Sequence, residues 1–519
     1  MDPHHRTVAS AARPGLAERY AAMTRGLAWQ TSYQPMDRVF PYDRYEGIQI
    51  KDWDGWEDPF RLTMDAYWKY QGEKEKKLYA VIDAFAQNHG EMGISDARYV
   101  NAIKLFIQGV TPIEYGAHRG FAHVGRQFTG AGARVACQMQ SVDELRHYQT
   151  ETHSMSHYNR HFHGMHQPGR WYDNMWYLSV PKSFFDDAHS AGPFEFLTAV
   201  SFSFEYVLTN LLFVPFMSGA AHNGDMATVT FGFSAQSDES RHMTLGIECI
   251  KFMLEQDPGN VPIVQRWIDK WFWRGYRLLT LVAMMQDYML PRRVMSWKEG
   301  WEMYAEANGG ALFKDLARYG IREPTGWKDA CEGKEHISHQ AWALFYQYTH
   351  AAAFHTWIPE DNELDWLAGK YPASFARRYR PRLEYWRARQ AQGERFYNPT
   401  LPMLCQVCQL PTLFTEPGDA SRLAMRELDY DGSKYHFCSS HCRAIFMAEP
   451  RKYVQAWQPV HRILEGEGAA SAAGAPADPI DKARESARLE AGSDNLDFED
   501  SADQRNFAVW RVVVSEVAT

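Results

Sequence analysis

The word DELRH, Asp143–His147, returns with one letter changed as DESRH, Asp238–His242. On a helix the side chains at i and i+3 share a face. Glu144 and His147 therefore point the same way, and so do Glu239 and His242. Each word follows an apolar segment holding an isolated glutamate. Glu114 stands in GVTPIEYGAH, and Glu205 stands in FLTAVSFSFEYVLTNLLFVPFMSG, Phe196–Gly219. Glu205 is the one charged side chain of that second stretch. Burying a lone carboxylate costs several kcal/mol unless it is paired, metal-bound or protonated. The order along the chain is Glu, Glu-x-x-His, Glu, Glu-x-x-His, and both intervals suit an antiparallel helix pair.

This is the ligand order of ferritin-like di-iron proteins, with one Glu from each of two helices and a Glu-x-x-His from each of two others. The expected ligands are Glu114, Glu144, His147, Glu205, Glu239 and His242. Their four carboxylates neutralise two divalent irons, and oxygen and imidazole donors suit iron or manganese better than a thiolate-loving metal. Asp143 and Asp238 are placed to accept the distal ring N–H of a metal-bound histidine. Arg146 and Arg241 are placed to neutralise those aspartates. A single Glu-x-x-His is usually a solvated helix face or a surface ion-pair ladder. Two copies, each preceded by a glutamate in an apolar helix, are hard to reach that way.

The rest of the composition narrows the class. The chain has 519 residues, 45% hydrophobic and 14% aromatic, enough for one large domain with appendages. Lys and Arg total 55 against 64 for Asp and Glu, a net charge of -9 with no basic block. Nucleic acid and anionic membrane surfaces are poor partners for such a chain. The N-terminal stretch has no apolar core of a secretory signal, and seven cysteines are an odd number. A cytoplasmic protein without a disulfide framework is expected. Phe196–Gly219 is long enough for a membrane span. It is diluted by Thr198, Ser201, Ser203, Thr209 and Asn210, interrupted by Pro215, and has no Lys or Arg flank to orient it.

An all-α fold is expected, with a ferritin-like di-iron helical domain and extra helices over residues 91–400. NGD at Asn223–Asp225 and QDPGN at Gln256–Asn260 read as helix breaks. Residues 1–90 read as an aromatic-rich arm and subunit-docking region. In it, KDWDGWEDPF needs a partner surface to cover its rings. Residues 401–464 form a small module with Cys405 and Cys408 in C-x2-C spacing and Cys438 and Cys442 in C-x3-C spacing. Four thiolates in two pairs make a structural zinc site, and YHFCS is similar to the metal-binding YHS motif. A reduced set without metal is the alternative, and His436 and His441 are spare ligands. Such a zinc acts as a folding staple for a module with little core. Cys137, Cys249 and Cys331 read as apolar packers. Residues 465–519 are a low-complexity linker and tail.

The surroundings of the glutamates are apolar. Val110, Ile113, Ala117 and Phe121 share or flank the helix face of Glu114. Phe204, Thr209 and Phe213 do the same for Glu205, and Phe184 is taken as a further wall residue. A cavity of this kind suits an apolar or aromatic substrate. Ordinary core packing accounts for any one of these residues equally well. Thr209 has a second bland role, bonding back to the carbonyl at i−4.

The two words with Glu114 and Glu205 resemble the bacterial multicomponent monooxygenases, soluble di-iron enzymes that include the methane, toluene and phenol hydroxylases. WEDPFRLTMDAYWKYQGEKEKKLYA, GARVACQMQ, VSFSFEYVLTNLLFVPFMSGAA and ATVTFGFSAQSDESRHMTLG are most similar to the large α subunit of the phenol-hydroxylating branch. The resemblance implies hydroxylation of phenol and methylphenols to catechols with O2, in aromatic catabolism. Electrons would come from a separate NADH-dependent reductase carrying FAD and a 2Fe-2S cluster. It implies β and γ subunits in a dimer of αβγ protomers, and a regulatory protein docked above the metals. It associates Thr209, Asn210 and Gln236 with oxygen activation or gating. The rival readings are a toluene, benzene or alkene monooxygenase of the same family, a non-catalytic ferritin-like iron-binding protein, and a scaffold whose working part is the YHS-like module.

Overall fold

A computed structural model of the chain describes residues 14–27, 45–162, 177–291, 293–342, 361–370, 404–410 and 426–456, with a few short stretches between them. The proposed tail from 465 lies outside the described residues. Among those described, helices make up all the regular structure except one hairpin. They are α1 (Leu16–Thr24), α2 (Met64–Gln87), α3 (Ala97–Gln127), α4 (Ala131–Phe162), α5 (Ser179–His189), α6 (Pro193–Leu197), α7 (Asn210–His222), α8 (Met226–Gln256) and α9 (Val261–Met284), followed by shorter ones.

The local chemistry explains the boundaries. Asp96 caps α3 by accepting from the Arg98 N–H. The short connection after Gln127 folds α3 and α4 into a helical hairpin. Both expected breaks occur. At the first, Asp225 accepts from the Thr228 N–H at 3.1 Å and starts α8. The hydroxyls of Tyr158 and Tyr99 donate to the same carboxylate at 2.5 and 2.9 Å, so the cap is tied to α4 and α3.

Between α6 and α7 the chain is not α-helical. Thr198–Tyr206 is a π-helix, and α7 resumes at Asn210 with a bend of 42°. A π segment widens the helix, commonly at a functional site. Two glycines let neighbouring helices approach it. A Cβ on Gly246 of α8 would lie 2.3 Å from the Ser201 carbonyl oxygen, and one on Gly275 of α9 would lie 2.8 Å from Leu208 Cδ1. Glu205 sits near the end of this clamped segment. No single helix among the described residues is long and apolar enough to cross a membrane. The bent pair Pro193–Tyr206 and Asn210–His222 passes that test by composition, but Phe196, Phe202, Leu208 and Leu211 on it are fully buried in the bundle.

Two expectations for residues 1–90 change. The tryptophans of KDWDGWEDPF are covered by this chain itself, while Phe60 stays exposed: Trp53 stacks on Phe194 at 5.9 Å, and Trp56 meets Phe252 edge-on at 5.2 Å. The second half of the region, α2, packs on α4 and α8 as part of the helical body. Its polar side chains Gln71 and Lys74 face the buried carboxylates of Asp143 and Asp238. Short helices between Trp297 and Gly333 cover α9, with Trp301 on Tyr276 and Trp327 on Phe272. The small module holds an antiparallel hairpin, β1 (Glu427–Tyr430) and β2 (Ser433–His436), and α10 (Ser440–Ala448). Its two-residue turn, Asp431-Gly432, has positive φ at both positions, as a primed hairpin turn requires.

Candidate di-metal centre

Four helical segments bring the six expected ligands together. Glu114 comes from α3, Glu144 and His147 from α4, Glu205 from the π segment, and Glu239 and His242 from α8. Donor atoms of Glu114, Glu144 and His147 all lie within 4.8 Å of one another, and so do those of Glu144, Glu205 and His242. Glu144 belongs to both groups and so sits between two positions. Glu239 Oε1 closes the second group at 3.6 Å from His242 Nδ1. His147 Nδ1 lies 3.5 Å from Glu114 and 3.4 Å from Glu144.

The donor set fits two cations. His147 Nδ1, His242 Nδ1 and Glu239 Oε2 are buried without a hydrogen-bond partner. Each such atom costs about 1–3 kcal/mol if left unsatisfied. The charges carry the same message. Burial pushes the Glu114 carboxyl up to about 8, with Glu144 adding to the effect. Burial, then Glu239 and Glu144, drive Glu205 well above the carboxylate range. Burial also acts on Glu144, but His242 and His147 beside it bring it down to about 2. Without cations the four carboxylates cannot all ionise together.

Behind the ligands the two words cross over. His147 Nε2 lies 3.3 Å from Asp238 Oδ2, and His242 Nε2 lies 3.3 Å from Asp143 Oδ2. Each histidine is thus oriented by the aspartate of the other helix. Arg146 bonds Asp143 at 3.0 Å and Asp238 at 3.2 Å, and Arg241 pairs with Asp143. Helix α2 completes the network, which the sequence reading missed. Tyr67 O–H donates to Asp143 at 2.7 Å, Gln71 donates to Asp143 and Asp238 at 2.8 and 2.7 Å, and Lys74 pairs with Asp238 at 2.5 Å. Gln140 was also missed. Its amide donates to Glu144 at 3.0 Å and to Glu205 at 2.9 Å. Its position four residues before Glu144 on one helix face was the available signal.

A cavity with mostly apolar walls touches all four carboxylates. Val110, Ile113, Ala117, Phe204, Phe213 and Thr209 line it. Phe184 does not. It stands one layer back against Phe204 and Trp271, at 5.7 and 5.2 Å, and Phe185 takes the wall position. Phe121 also stands back, edge-on to Phe196. Adjacent aromatics on a helix point about 100° apart, so sequence alone could not choose between Phe184 and Phe185. Thr198 bonds back to the carbonyl four residues earlier. The Glu205 carbonyl instead accepts from the Thr209 backbone N–H at 3.2 Å. Gln236 Nε2 donates to Asn210 Oδ1 at 2.9 Å, so these two distant residues meet.

The four cysteines of the small module converge, and all are buried. Sγ of Cys438 lies 3.3 Å from Cys408 and 3.7 Å from Cys442. A tetrahedral zinc with sulfur bonds near 2.3 Å has edges of roughly 3.8 Å. Burial alone would lower the Arg277 guanidinium, yet Cys438 beside it holds it above its usual range. Arg277 Nε and Nη2 are buried without a hydrogen-bond partner, so a tetrathiolate gives this cation a counter-charge. His441 bonds Asp329 at 2.7 Å, and His436 lies 3.8 Å from Glu427, so neither spare ligand joins the cluster. Cys137 and Cys249 are buried packers as expected, while Cys331 is only half-buried.

Paired carboxylate and histidine ligands on one helical bundle, facing an apolar cavity, define a di-metal carboxylate protein built for chemistry on a small organic substrate. Residues 29–257 match the Methane/Phenol/Alkene Hydroxylase family, and residues 414–457 match the YHS domain. The chain is 68% identical, over 88% of its length and 88% of the relative's, to the oxygenase component DmpN of phenol 2-monooxygenase from Pseudomonas sp. (strain CF600). It is 27% identical, over 86% and 90%, to the oxygenase component subunit alpha of the alkene monooxygenase system from Xanthobacter autotrophicus (strain ATCC BAA-1158 / Py2). Its fold superposes on the crystal structure of xenon-pressurized phenol hydroxylase from Pseudomonas sp. OX1 with a TM-score of 0.80 and 62% identity, covering 96% and 99% of the two chains. The chain belongs to the methane/phenol/alkene hydroxylase family. It is a di-iron monooxygenase chain, and membership implies two iron ions.

Proposed function

We propose that this chain is the large oxygenase subunit of a phenol 2-monooxygenase. The observation that carries the reading is one apolar cavity in contact with all four carboxylates of the six-ligand cluster. Its walls, apart from the carboxylates and Thr209, are apolar and suit an aromatic ring. The relative named as a phenol 2-monooxygenase oxygenase component supports phenol and methylphenols as substrates and catechols as products.

Glu114, Glu144, His147, Glu205, Glu239 and His242 would hold the irons. When bound, the irons supply reductive activation of O2 next to the ring. The chain's own residues prepare the place. Asp238 and Asp143 keep the distal ring N–H on Nε2, so that Nδ1 of each histidine faces the metals. Gln140 holds Glu144 and Glu205 in one orientation. Phe204, Phe213 and Ile113 exclude water from the ring's position. Thr209 is the cavity's hydroxyl, and Asn210 with Gln236 forms a polar contact behind it.

The same reading includes β and γ subunits, a regulatory protein, and a reductase passing NADH electrons through FAD and a 2Fe-2S cluster. It places the complex in the cytoplasm. It assigns residues 401–464 a structural zinc on Cys405, Cys408, Cys438 and Cys442. The test is to supply the purified chain and its companion subunits with reductase, regulatory protein, NADH and phenol. Catechol formed in proportion to NADH supports the proposal. Iron uptake with no phenol-dependent NADH use overturns it.

A further inference from the structure

A third cluster of ligating side chains lies away from both sites above. His153 and His157 are one turn apart on α4 and face Asp83 on α2. His153 Nε2 is 2.7 Å from Asp83 Oδ1, His157 Nε2 is 3.3 Å from the same oxygen, and the two Nε2 atoms are 3.2 Å apart. The two rings cross at 86° with centroids 4.7 Å apart. All three side chains are partly open, at 32%, 13% and 43% exposure for His153, His157 and Asp83. His153 is about 9 Å further along the helix than His147 and roughly a third of a turn round it. The cluster therefore opens toward α2 and solvent, away from the cavity.

We propose that Asp83, His153 and His157 form an additional metal site for a borderline divalent transition cation of the zinc or copper(II) class. Two imidazoles and one carboxylate with an open fourth position are the ligand set of many open zinc sites. Bonds of 2.0–2.2 Å give a tetrahedral edge of roughly 3.3 Å. Two of the three separations already have that length, and the shortest needs to open by about half an ångström. Two Nε2 atoms this close cannot both carry a proton directed at the same oxygen without crowding. A single cation between them satisfies all three donors.

The site is weaker than the di-metal centre, for a visible reason. His157 Nδ1 is buried and has no hydrogen-bond partner, and a missing partner of that kind costs about 10–100-fold in metal affinity. Occupancy would tie α2 to α4. These two helices carry Tyr67, Gln71 and Lys74 on one side and Asp143 on the other, the groups that orient the iron-facing histidines.

The test uses the full-length protein as isolated, with its resident metals in place, and zinc as the probe. Wild type is compared with His153→Gln/His157→Gln and with Asp83→Asn, the near-isosteric variant that keeps both rings. Wild type should retain one more zinc per chain than the double variant and melt at higher temperature with zinc than without. Asp83→Asn should bind the added zinc about tenfold more weakly or worse. Copper(II) on the wild type should show nitrogen hyperfine structure that the double variant lacks. Because the comparison is a difference between variants, it does not depend on what fills the other two sites. Equal zinc retention by wild type and both variants overturns the proposal. So does a wild type that takes up no added zinc, which would make the cluster a hydrogen-bonded ion pair only.

Discussion

His147 Nε2 lies 3.3 Å from Asp238, the aspartate of the other helix's word and not of its own. The exchange links α4 and α8 directly behind the metal ligands. Asp238 is fully buried, and although burial opposes ionisation, His147, Lys74 and Arg146 hold its carboxyl well below the usual range. Asp238→Asn should lower iron affinity about 10–100-fold, because the histidine loses its orienting acceptor. Iron retained against a competing chelator is the measurement. Retention equal to wild type would show that the crossing has no role in metal binding.

The π segment depends on a missing side chain. Gly246→Ala would place a methyl group 2.3 Å from the Ser201 carbonyl oxygen, backbone that cannot rotate away. Overpacking of this kind costs about 1–3 kcal/mol or more. Thermal unfolding should move down by several degrees, and iron content should fall with it as Glu205 shifts. A variant with unchanged melting temperature would mean that the π segment yields easily.

Iron binding should depend on pH in one direction. Without metal, burial raises the Glu114 carboxyl from the ordinary carboxylate range to about 8, and His147 is also raised, its carboxylate neighbours outweighing burial. Raised groups stabilise the metal-free fold below their unfolded values and lose that contribution as pH rises through the folded values. The metal-free protein should therefore weaken between about pH 5 and 8, while iron replaces those protons. The rise in melting temperature on iron addition should be larger at pH 8 than at pH 6, with protons released on binding. A constant or opposite trend would contradict the charge assignment.

Cavity shape can be tested at Ala117, a buried wall residue three positions after Glu114. Ala117→Phe puts a ring into the cavity and leaves all six candidate ligands unchanged in identity. Phenol turnover should fall by about tenfold or more, on the scale of 1–3 kcal/mol of lost fit, and methylphenols should suffer more. Iron content should stay at the wild-type level. Equal losses for both substrates would place the ring elsewhere in the cavity.

The cysteine module should be coupled to the helical body. Cys438→Ser removes a thiolate beside the buried guanidinium of Arg277 on α9. Zinc measured by elemental analysis should fall by about one per chain relative to wild type. Stability should fall by about 3–5 kcal/mol, the scale for an uncompensated buried charge. Full zinc content in the variant would remove Cys438 from the ligand set.

What the residues alone determined is which six carboxylate and histidine side chains gather in one buried cluster. Glu-x-x-His repeated on helices, each after a lone glutamate in an apolar stretch, is a pattern in which local periodicity already aligns the donors. The C-x2-C and C-x3-C pairs are legible for the same reason, since each pair is local. The helix breaks at Asn223–Asp225 and Gln256–Asn260 follow from turn chemistry. Tertiary structure alone decided everything that depends on which helix faces which. It crossed His147 to Asp238, brought Tyr67, Gln71 and Lys74 from a region expected to dock partners, and set Phe185 rather than Phe184 on the cavity wall. It also made Thr198–Tyr206 a π-helix, with close approaches to it and its continuation at Gly246 and Gly275. Spacing along one helix is a local property with a fixed period. Rotation of one helix against another is set by packing over the whole core, and no short stretch of sequence records it.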